Sequence, residues 1–253
     1  IIAPDWRGFG LTRRQTHDAT ADTGPRDVDN YWFPDYLADL DFLLDHYAPG
    51  RPVDLVGHSL GGNVAMHYAG VRPERIRRLV NLEGFGMPAT RPEQAPGRYA
   101  RWIDELKQLH RGELELNAYA DAAGVARRLM KTNPRLSEDK ADWLARHWAA
   151  PDARGAWRIL GDAAHKIVNA QLSRLDEVLA LYARITAPTL MVRAEEDSLA
   201  RWWGERYTQA EFEQRIATVP HLEHGVIHGA GHMLHHDQPQ ALAKLIESFL
   251  AAE

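Results

Sequence analysis

The chain has 253 residues, of which 45% are hydrophobic, and a formal net charge of −5. This length suits one large domain, with or without an inserted cap, and the acidic balance excludes a basic surface for nucleic acid. Cysteine is absent, which excludes disulfides, a thiolate nucleophile and cysteine metal sites. The sequence shows neither an apolar run long enough to span a bilayer nor a signal-peptide pattern, so we expect no membrane span and a cytoplasmic location.

Short apolar runs alternate with segments of helical periodicity along most of the chain. Five of these runs are candidate strands: Ile1 to Ala3, Val53 to Val56, Leu79 to Leu82, Thr189 to Arg193 and Gly225 to Ile227. Such alternation is typical of the α/β class, so we predict a mostly parallel, doubly wound sheet with helices on both faces. Because the chain starts without Met inside the first run, we expect it to be a partial sequence.

A helical segment interrupts this alternation between two of the strands. From about residue 87 to residue 175 the apolar positions follow helical spacing only. An insertion there predicts a lid over the carboxyl ends of the strands, where α/β proteins bind ligands. We therefore expect residues 1–86 and 176–253 to form the two parts of a core and residues 87–175 to form the lid. The lid contains four tryptophans that would suit an apolar pocket: Trp102, Trp143, Trp148 and Trp157.

The most specific motif is the stretch Gly57-His58-Ser59-Leu60-Gly61-Gly62, between a predicted strand and a predicted helix. In this setting Gly-x-Ser-x-Gly forms a nucleophile elbow, a sharp turn that projects the serine hydroxyl outward. Gly57 and Gly61 occupy the positions where the turn tolerates no bulk. The helix that follows directs free N–H groups toward the serine and stabilises negative charge formed there. Ser59 is therefore the predicted nucleophile.

A serine nucleophile needs a histidine base and a carboxylate that orients the base. The predicted base is His232, which lies in a glycine-rich loop between the last strand and the last helix. Two carboxylates that follow strands could reach it, namely Asp197 after Thr189 to Arg193 and Glu83 after Leu79 to Leu82. We favour Asp197 as the acid and keep Glu83 as the alternative.

Histidines are concentrated near the end of the chain. Within sixteen positions stand His221, His224, His228, His232, His235 and His236. Their spacing matches no metal-ligand motif, so we predict no metal site and no other cofactor.

Together these residues resemble the α/β-hydrolase superfamily, and the resemblance runs over the whole chain. Ile1 to Gly10 resembles the fourth strand of the family and the glycine turn after it, and the Gly-x-Gly-His232 loop resembles its histidine loop. Asp197 stands where the family acid usually follows the seventh strand. Asn81 to Pro88, in contrast, resembles the segment in which haloalkane dehalogenases place a catalytic Glu, which supports Glu83.

The resemblance also implies an oxyanion hole and a reaction. The backbone N–H of Leu60 would be one oxyanion donor, whereas the first three strands and the loop with the second donor would precede Ile1. The family then implies a serine hydrolase that forms an acyl-enzyme with a small, largely apolar carboxylic ester and needs no cofactor. Alternatives with the same triad are a perhydrolase or acyltransferase and a C–C bond hydrolase. A non-catalytic ligand-binding or receptor protein is the alternative from another class, and the activity of this stretch alone stays open, as does its oligomeric state.

Overall fold

A computed structural model of the chain describes residues 1–12 and 30–252. The chain divides into two compact units. One unit, here called the helical unit, comprises Ile1–Tyr36 and Pro92–Leu172, and the other, the sheet unit, comprises Leu37–Arg91 and Ser173–Glu253. No helix within the described residues is long and apolar enough to cross a membrane.

The order of the elements follows the predicted alternation. In chain order the α-helices and β-strands are α1 (Phe33–Tyr47), β1 (Val53–His58), α2 (Leu60–Val71), β2 (Ile76–Leu82), α3 (Ala95–His110), α4 (Ala122–Thr132), α5 (Glu138–Trp148), β3 (Ala149–Pro151), β4 (Trp157–Ile159), α6 (Leu175–Tyr182), β5 (Thr189–Ala194), α7 (Ser198–Trp203), α8 (Gln209–Ile216), β6 (Leu222–Ile227), α9 (Leu234–Asp237) and α10 (Pro239–Ala251).

The sheet unit is built on four parallel strands in the order β1-β2-β5-β6. Val80 and Val192 in its two central strands are fully buried, as expected for a parallel sheet with both faces covered. Helix α2 packs against β1 and β2, and α10 packs against β6. The predicted parallel α/β sheet is confirmed. In this order β2 and β5 are neighbours, with Leu82 opposite Val192, so their carboxyl ends meet at one edge.

The strand predicted at Ile1 to Ala3 is absent, and that prediction was wrong. Ile1 and Ile2 have no regular structure and are exposed. An apolar run becomes a strand only when a neighbouring strand satisfies its backbone N–H and C=O groups. The β-type backbone pairing in this part of the described chain occurs a few residues later. Gly10 N donates to Leu160 O at 2.9 Å, and Phe9 forms a β-bridge with Gly161 in the helical unit.

The helical unit packs around two small apolar clusters. One cluster joins α4 and α5 and includes the fully buried Val125 and Ala141, and the other includes Leu109 at the end of α3. Helix α4 begins at an N-cap, because the Asp121 carboxylate accepts a hydrogen bond from Gly124 N at 2.7 Å. Strands β3 and β4 form a short antiparallel hairpin, which the helical periodicity of this segment did not indicate.

Candidate active site

Ser59 lies in a strained turn between the end of β1 and the start of α2. Its backbone has φ 53° and ψ −114°, a conformation that is costly for a residue with a side chain. Ser59 N donates to Leu82 O at 2.8 Å, and Ser59 O accepts from Asn63 N at 3.0 Å, which holds the turn in place. Because α2 begins at Leu60, the Leu60 N–H belongs to the first turn, whose N–H groups have no acceptor within the helix.

Close contacts, one with backbone and one with a side chain, explain two of the glycines around Ser59. A Cβ atom at Gly57 would lie 2.2 Å from the carbonyl oxygen of Gly61, so the strand and the helix approach too closely for any side chain there. A Cβ atom at Gly62 would lie 2.3 Å from Oδ1 of Asn81. The glycines of the motif therefore bring the start of α2 against the ends of β1 and β2.

His232 lies within hydrogen-bonding distance of the serine. Its Nε2 is 3.0 Å from Ser59 Oγ, and its loop is held by Asp237, whose Oδ2 accepts from Gly231 N at 2.9 Å. The carbonyl oxygen of His232 is 2.7 Å from Nε2 of His58. A carbonyl oxygen only accepts, so His58 Nε2 carries the hydrogen and the two histidines are linked.

The carboxylate beside His232 is Glu83, the alternative acid of the sequence analysis. Its Oε2 lies 3.2 Å from His232 Nδ1, and its side chain is fully buried. Two more donors reach the carboxylate, since Ala194 N donates to Oε1 at 2.7 Å and Ser198 Oγ donates to Oε2 at 2.6 Å. A buried negative charge needs such donors to offset the loss of water. With Nδ1 donating to Glu83, the Nε2 atom is the acceptor for the Ser59 hydroxyl.

The favoured acid, Asp197, makes a different contact. It follows β5 as predicted, but its Oδ1 accepts from Ala200 N at 2.9 Å and caps α7. The first N–H groups of a helix have no acceptor within the helix, and the carboxylate of an Asp directly before the helix can accept a hydrogen bond from one of them. Glu83, at the end of β2 between β1 and β5, instead places its Oε2 3.2 Å from His232 Nδ1. The geometry thus places Glu83, and not Asp197, beside His232, and the identity of the catalytic acid stays a prediction.

Glu83 is the second strained residue of the site. Its φ of 56° makes it, with Ser59, one of two non-glycine residues of positive φ within the described part of the chain. Asn81 stabilises this turn, because its amide donates to Gly84 O and accepts from Gly84 N, both at 2.9 Å. Asn81 is fully buried, so these hydrogen bonds are not in competition with water. We did not single out Asn81 from the sequence, although it opens the segment that supported Glu83.

Aromatic rings surround the imidazole of His232. The ring of His58 lies 4.7 Å from it, the ring of Trp202 lies 4.3 Å from it in an edge-to-face arrangement, and His235 packs on His58 at 4.5 Å. Burial lowers the pKa of His58 to about 4 and that of His235 to about 3. Both rings are therefore neutral near neutral pH, and Glu83 supplies the carboxylate in contact with His232.

Two other histidines of the cluster, His224 and His228, do not join this site. His228 pairs with Glu195 at 3.2 Å and His224 lies 3.7 Å from Glu213, both at exposed positions. Within residues 1–12 and 30–252, no three His, Cys, Asp or Glu side chains are arranged to hold a metal ion.

The fold and this geometry agree with the comparison to known families. A family model described as "alpha/beta hydrolase fold" matches residues 1–239, so the chain belongs to the α/β-hydrolase family. The resemblance found in the sequence is confirmed.

Individual relatives extend over nearly the whole chain. A serine hydrolase-like protein from Danio rerio is 24% identical over 256 residues, which cover 99% of this chain and 73% of the relative. A 2-(acetamidomethylene)succinate hydrolase from Mesorhizobium japonicum is 27% identical over 99% of this chain and 78% of its own length. Among solved structures, the thioesterase domain from the curacin biosynthetic pathway has a TM-score of 0.73 and 27% identity, and the alignment covers 88% of this chain and 75% of that domain. Proteins named for the hydrolysis of different substrates are thus among the relatives of this chain.

Proposed function

We propose that this protein is a serine hydrolase in which Ser59, His232 and Glu83 form the catalytic triad. The observation that carries the proposal is one continuous set of contacts: Ser59 Oγ to His232 Nε2 at 3.0 Å, and His232 Nδ1 to Glu83 Oε2 at 3.2 Å. A serine hydroxyl becomes nucleophilic when a neutral imidazole takes its proton, and a carboxylate on the opposite ring nitrogen stabilises the imidazolium that forms.

The reaction follows from these contacts. Ser59 Oγ attacks the carbonyl carbon of an ester while its proton moves to His232 Nε2, giving a tetrahedral oxyanion. The oxyanion accepts from the Leu60 N–H at the start of α2. His232 then protonates the departing alkoxide, the C–O bond breaks, and an acyl-enzyme remains on Ser59. A water molecule gives a proton to His232, attacks the acyl carbon, and releases the carboxylic acid as Ser59 recovers its proton.

We infer that the substrate is a small, largely apolar carboxylic ester. Trp202, whose ring contacts His232, and Leu60, next to the nucleophile, are apolar and partly exposed. An ester is favoured over an amide because an alkoxide leaves more readily than an amine. Acyl transfer to peroxide or another acceptor, and C–C bond hydrolysis, use the same three residues and are the alternative activities. The role of residues 87–175 as a lid stays a prediction.

Labelling with a fluorophosphonate tests the nucleophile. The protein is expressed with any residues that precede Ile1 in its gene, and we expect the probe to label the native protein but not Ser59→Ala. Ser248, an exposed serine on α10, supplies the matched control, since Ser248→Ala should label like the native protein. Equal labelling of Ser59→Ala, or none in the native protein, would refute the serine-hydrolase proposal. Labelling without turnover of any p-nitrophenyl ester would instead favour the binding or receptor alternative.

Paired amide substitutions test the acid. We expect Glu83→Gln to lower kcat on p-nitrophenyl acetate by about 10³- to 10⁴-fold, because the imidazole loses its charged partner. Asp197→Asn should stay within about twofold of the native rate, since asparagine caps a helix about as well as aspartate. The opposite pattern, with only Asp197→Asn inactive, would restore Asp197 as the acid.

A further inference from the structure

Helix α7 contacts both the proposed acid and the proposed base. Ser198, its first residue, donates from Oγ to Glu83 Oε2 at 2.6 Å. Trp202 of the same helix packs edge-to-face on His232 at 4.3 Å between ring centroids. Residues four apart lie on one face of a helix, so a single face of α7 supports two members of the proposed triad.

The contacts of Glu83 show what each oxygen of its carboxylate does. Oε1 accepts from Ala194 N at 2.7 Å, whereas Oε2 is shared by Ser198 Oγ at 2.6 Å and His232 Nδ1 at 3.2 Å. The serine contact is therefore the shorter of the two on the oxygen that faces the base. Ser198 is 3% exposed, so its hydroxyl is shielded from water and directed to this oxygen.

We propose that Ser198 is a positioning residue of the site, whose hydroxyl fixes the carboxylate of Glu83 in the orientation that pairs with His232. The inference rests on the proposed triad. Asp197 takes part indirectly, because its cap on Ala200 N fixes the first turn of α7 and hence the place of Ser198. Without the Ser198 hydroxyl, Oε2 keeps one partner, and the carboxylate can rotate away from the base.

The charge on His232 provides a readout that a loss of folding would not reproduce. The titratable groups next to its ring are Glu83 and His58, behind which lie His235, packed on His58, and His236, whose ring is 4.1 Å from that of His235. Without the Ser198 hydroxyl the Glu83 carboxylate can rotate away from the ring, so the imidazolium loses part of its stabilisation. The acidic limb of the kcat/KM profile should therefore move to lower pH in Ser198→Ala.

The test is a double-mutant cycle on p-nitrophenyl acetate with Ser198→Ala, Glu83→Gln and the double variant. We expect Ser198→Ala alone to lower kcat about tenfold with KM within about twofold, the size expected for a hydrogen bond to a charged group. In the Glu83→Gln background the same substitution should change kcat by less than about twofold, because no carboxylate remains to be oriented. Ser198→Thr, which keeps the hydroxyl, should recover most of the rate, and Ser248→Ala on α10 is the matched control.

Each outcome bears on one of the two proposals separately. An equal loss from Ser198→Ala in both backgrounds, or no loss in the native background, overturns the positioning role of Ser198. A native rate in Glu83→Gln overturns instead the proposed acid. A loss in Ser198→Ala with an unmoved acidic limb also contradicts the inference, because it points to packing alone.

Discussion

At the scale of single residues, the site depends on backbone conformations that side chains normally avoid. Ser59 and Glu83 both have positive φ, and both stand directly after a strand of the sheet. Such strain persists only where surrounding contacts hold it. At Glu83 the amide of Asn81 supplies those contacts, and at Ser59 the close approach of Gly57 to Gly61 does so.

The fit at Gly57 gives a prediction for stability. A methyl group in Gly57→Ala would lie 2.2 Å from Gly61 O, which forces β1 and α2 apart. We expect a loss of about 1–3 kcal/mol or more in the free energy of unfolding. Gly97→Ala is the control, because a Cβ there in the exposed first turns of α3 meets nothing within 4 Å, and the change should be neutral or stabilising by up to about 1 kcal/mol. Urea unfolding followed by circular dichroism measures both, and equal stability of the two variants would contradict the explanation.

At the scale of elements, the edge of the sheet and helix α7 together build the site. The adjacent ends of β1 and β2 bring Ser59 and Glu83 together, and the loop after β6 adds His232. Two hydrogen bonds fix the segment after Glu83. Tyr207 Oη donates to Phe85 O at 2.6 Å, and Arg215 of α8 donates to Met87 O at 2.8 Å. Glu83, the proposed acid, is therefore held from both sides of its turn.

Substitution of Asp197, the N-cap residue of α7, distinguishes a positioning role of Asp197 from a catalytic role. We expect Asp197→Ala to cost about 1 kcal/mol of stability and to lower kcat several-fold, because α7 frays at Ser198. Asp121→Ala removes the equivalent cap from α4 in the helical unit, where Asp121 Oδ1 accepts from Gly124 N. It should cost similar stability with native kcat. Thermal unfolding measures the stability of both variants, and esterase kinetics measure their kcat. Equal kcat values in Asp197→Ala and Asp121→Ala would refute the coupling between the α7 cap and the site.

At the scale of the whole molecule, buried histidines link stability to pH. Burial lowers the pKa of four histidines in the described structure: His58, His67, His165 and His235. The unfolded chain takes up these protons near the ordinary histidine pKa of 6.5, whereas folded His58 does so only near 4. Because the unfolded state binds more protons in this interval, stability is full above about pH 6.5 and falls as the pH drops toward 4.

Denaturation measured across this interval tests the linkage. The urea midpoint of the native protein should fall steadily from about pH 6.5 to about pH 4, with each buried histidine contributing up to about 1.4 kcal/mol per pH unit. His235→Gln removes one such group, whose Nδ1 is buried without a hydrogen bond, and should flatten the slope. His228→Gln serves as control because its side chain is 80% exposed, and it should leave the slope unchanged. Parallel slopes in all three proteins would rule the explanation out.

Much of this architecture is determined by the sequence alone. Apolar runs at Val53, Leu79, Thr189 and Gly225 predict the four parallel strands because burial on both faces requires continuous apolar residues. The glycine pattern around Ser59 predicts the turn, since only glycine permits the close approach of strand and helix. The position of His232 follows likewise from a glycine-rich loop after the last strand.

The tertiary structure alone decided which carboxylate lies beside His232, the proposed base. Asp197 and Glu83 both follow strands of the same edge, so their sequence positions do not distinguish them. Which carboxylate lies beside His232 depends on the hydrogen-bond donors near each one. Asp197 accepts a hydrogen bond from Ala200 N of the helix that it caps. Glu83 is within hydrogen-bonding distance of Ala194 N, Ser198 Oγ and His232 Nδ1, which come from distant segments. Tertiary contacts likewise decided that Ile1 to Ala3 form no strand, because a strand exists only where another strand pairs with it. Local pattern thus determines which elements can form, and contacts between distant segments determine which of their side chains come together.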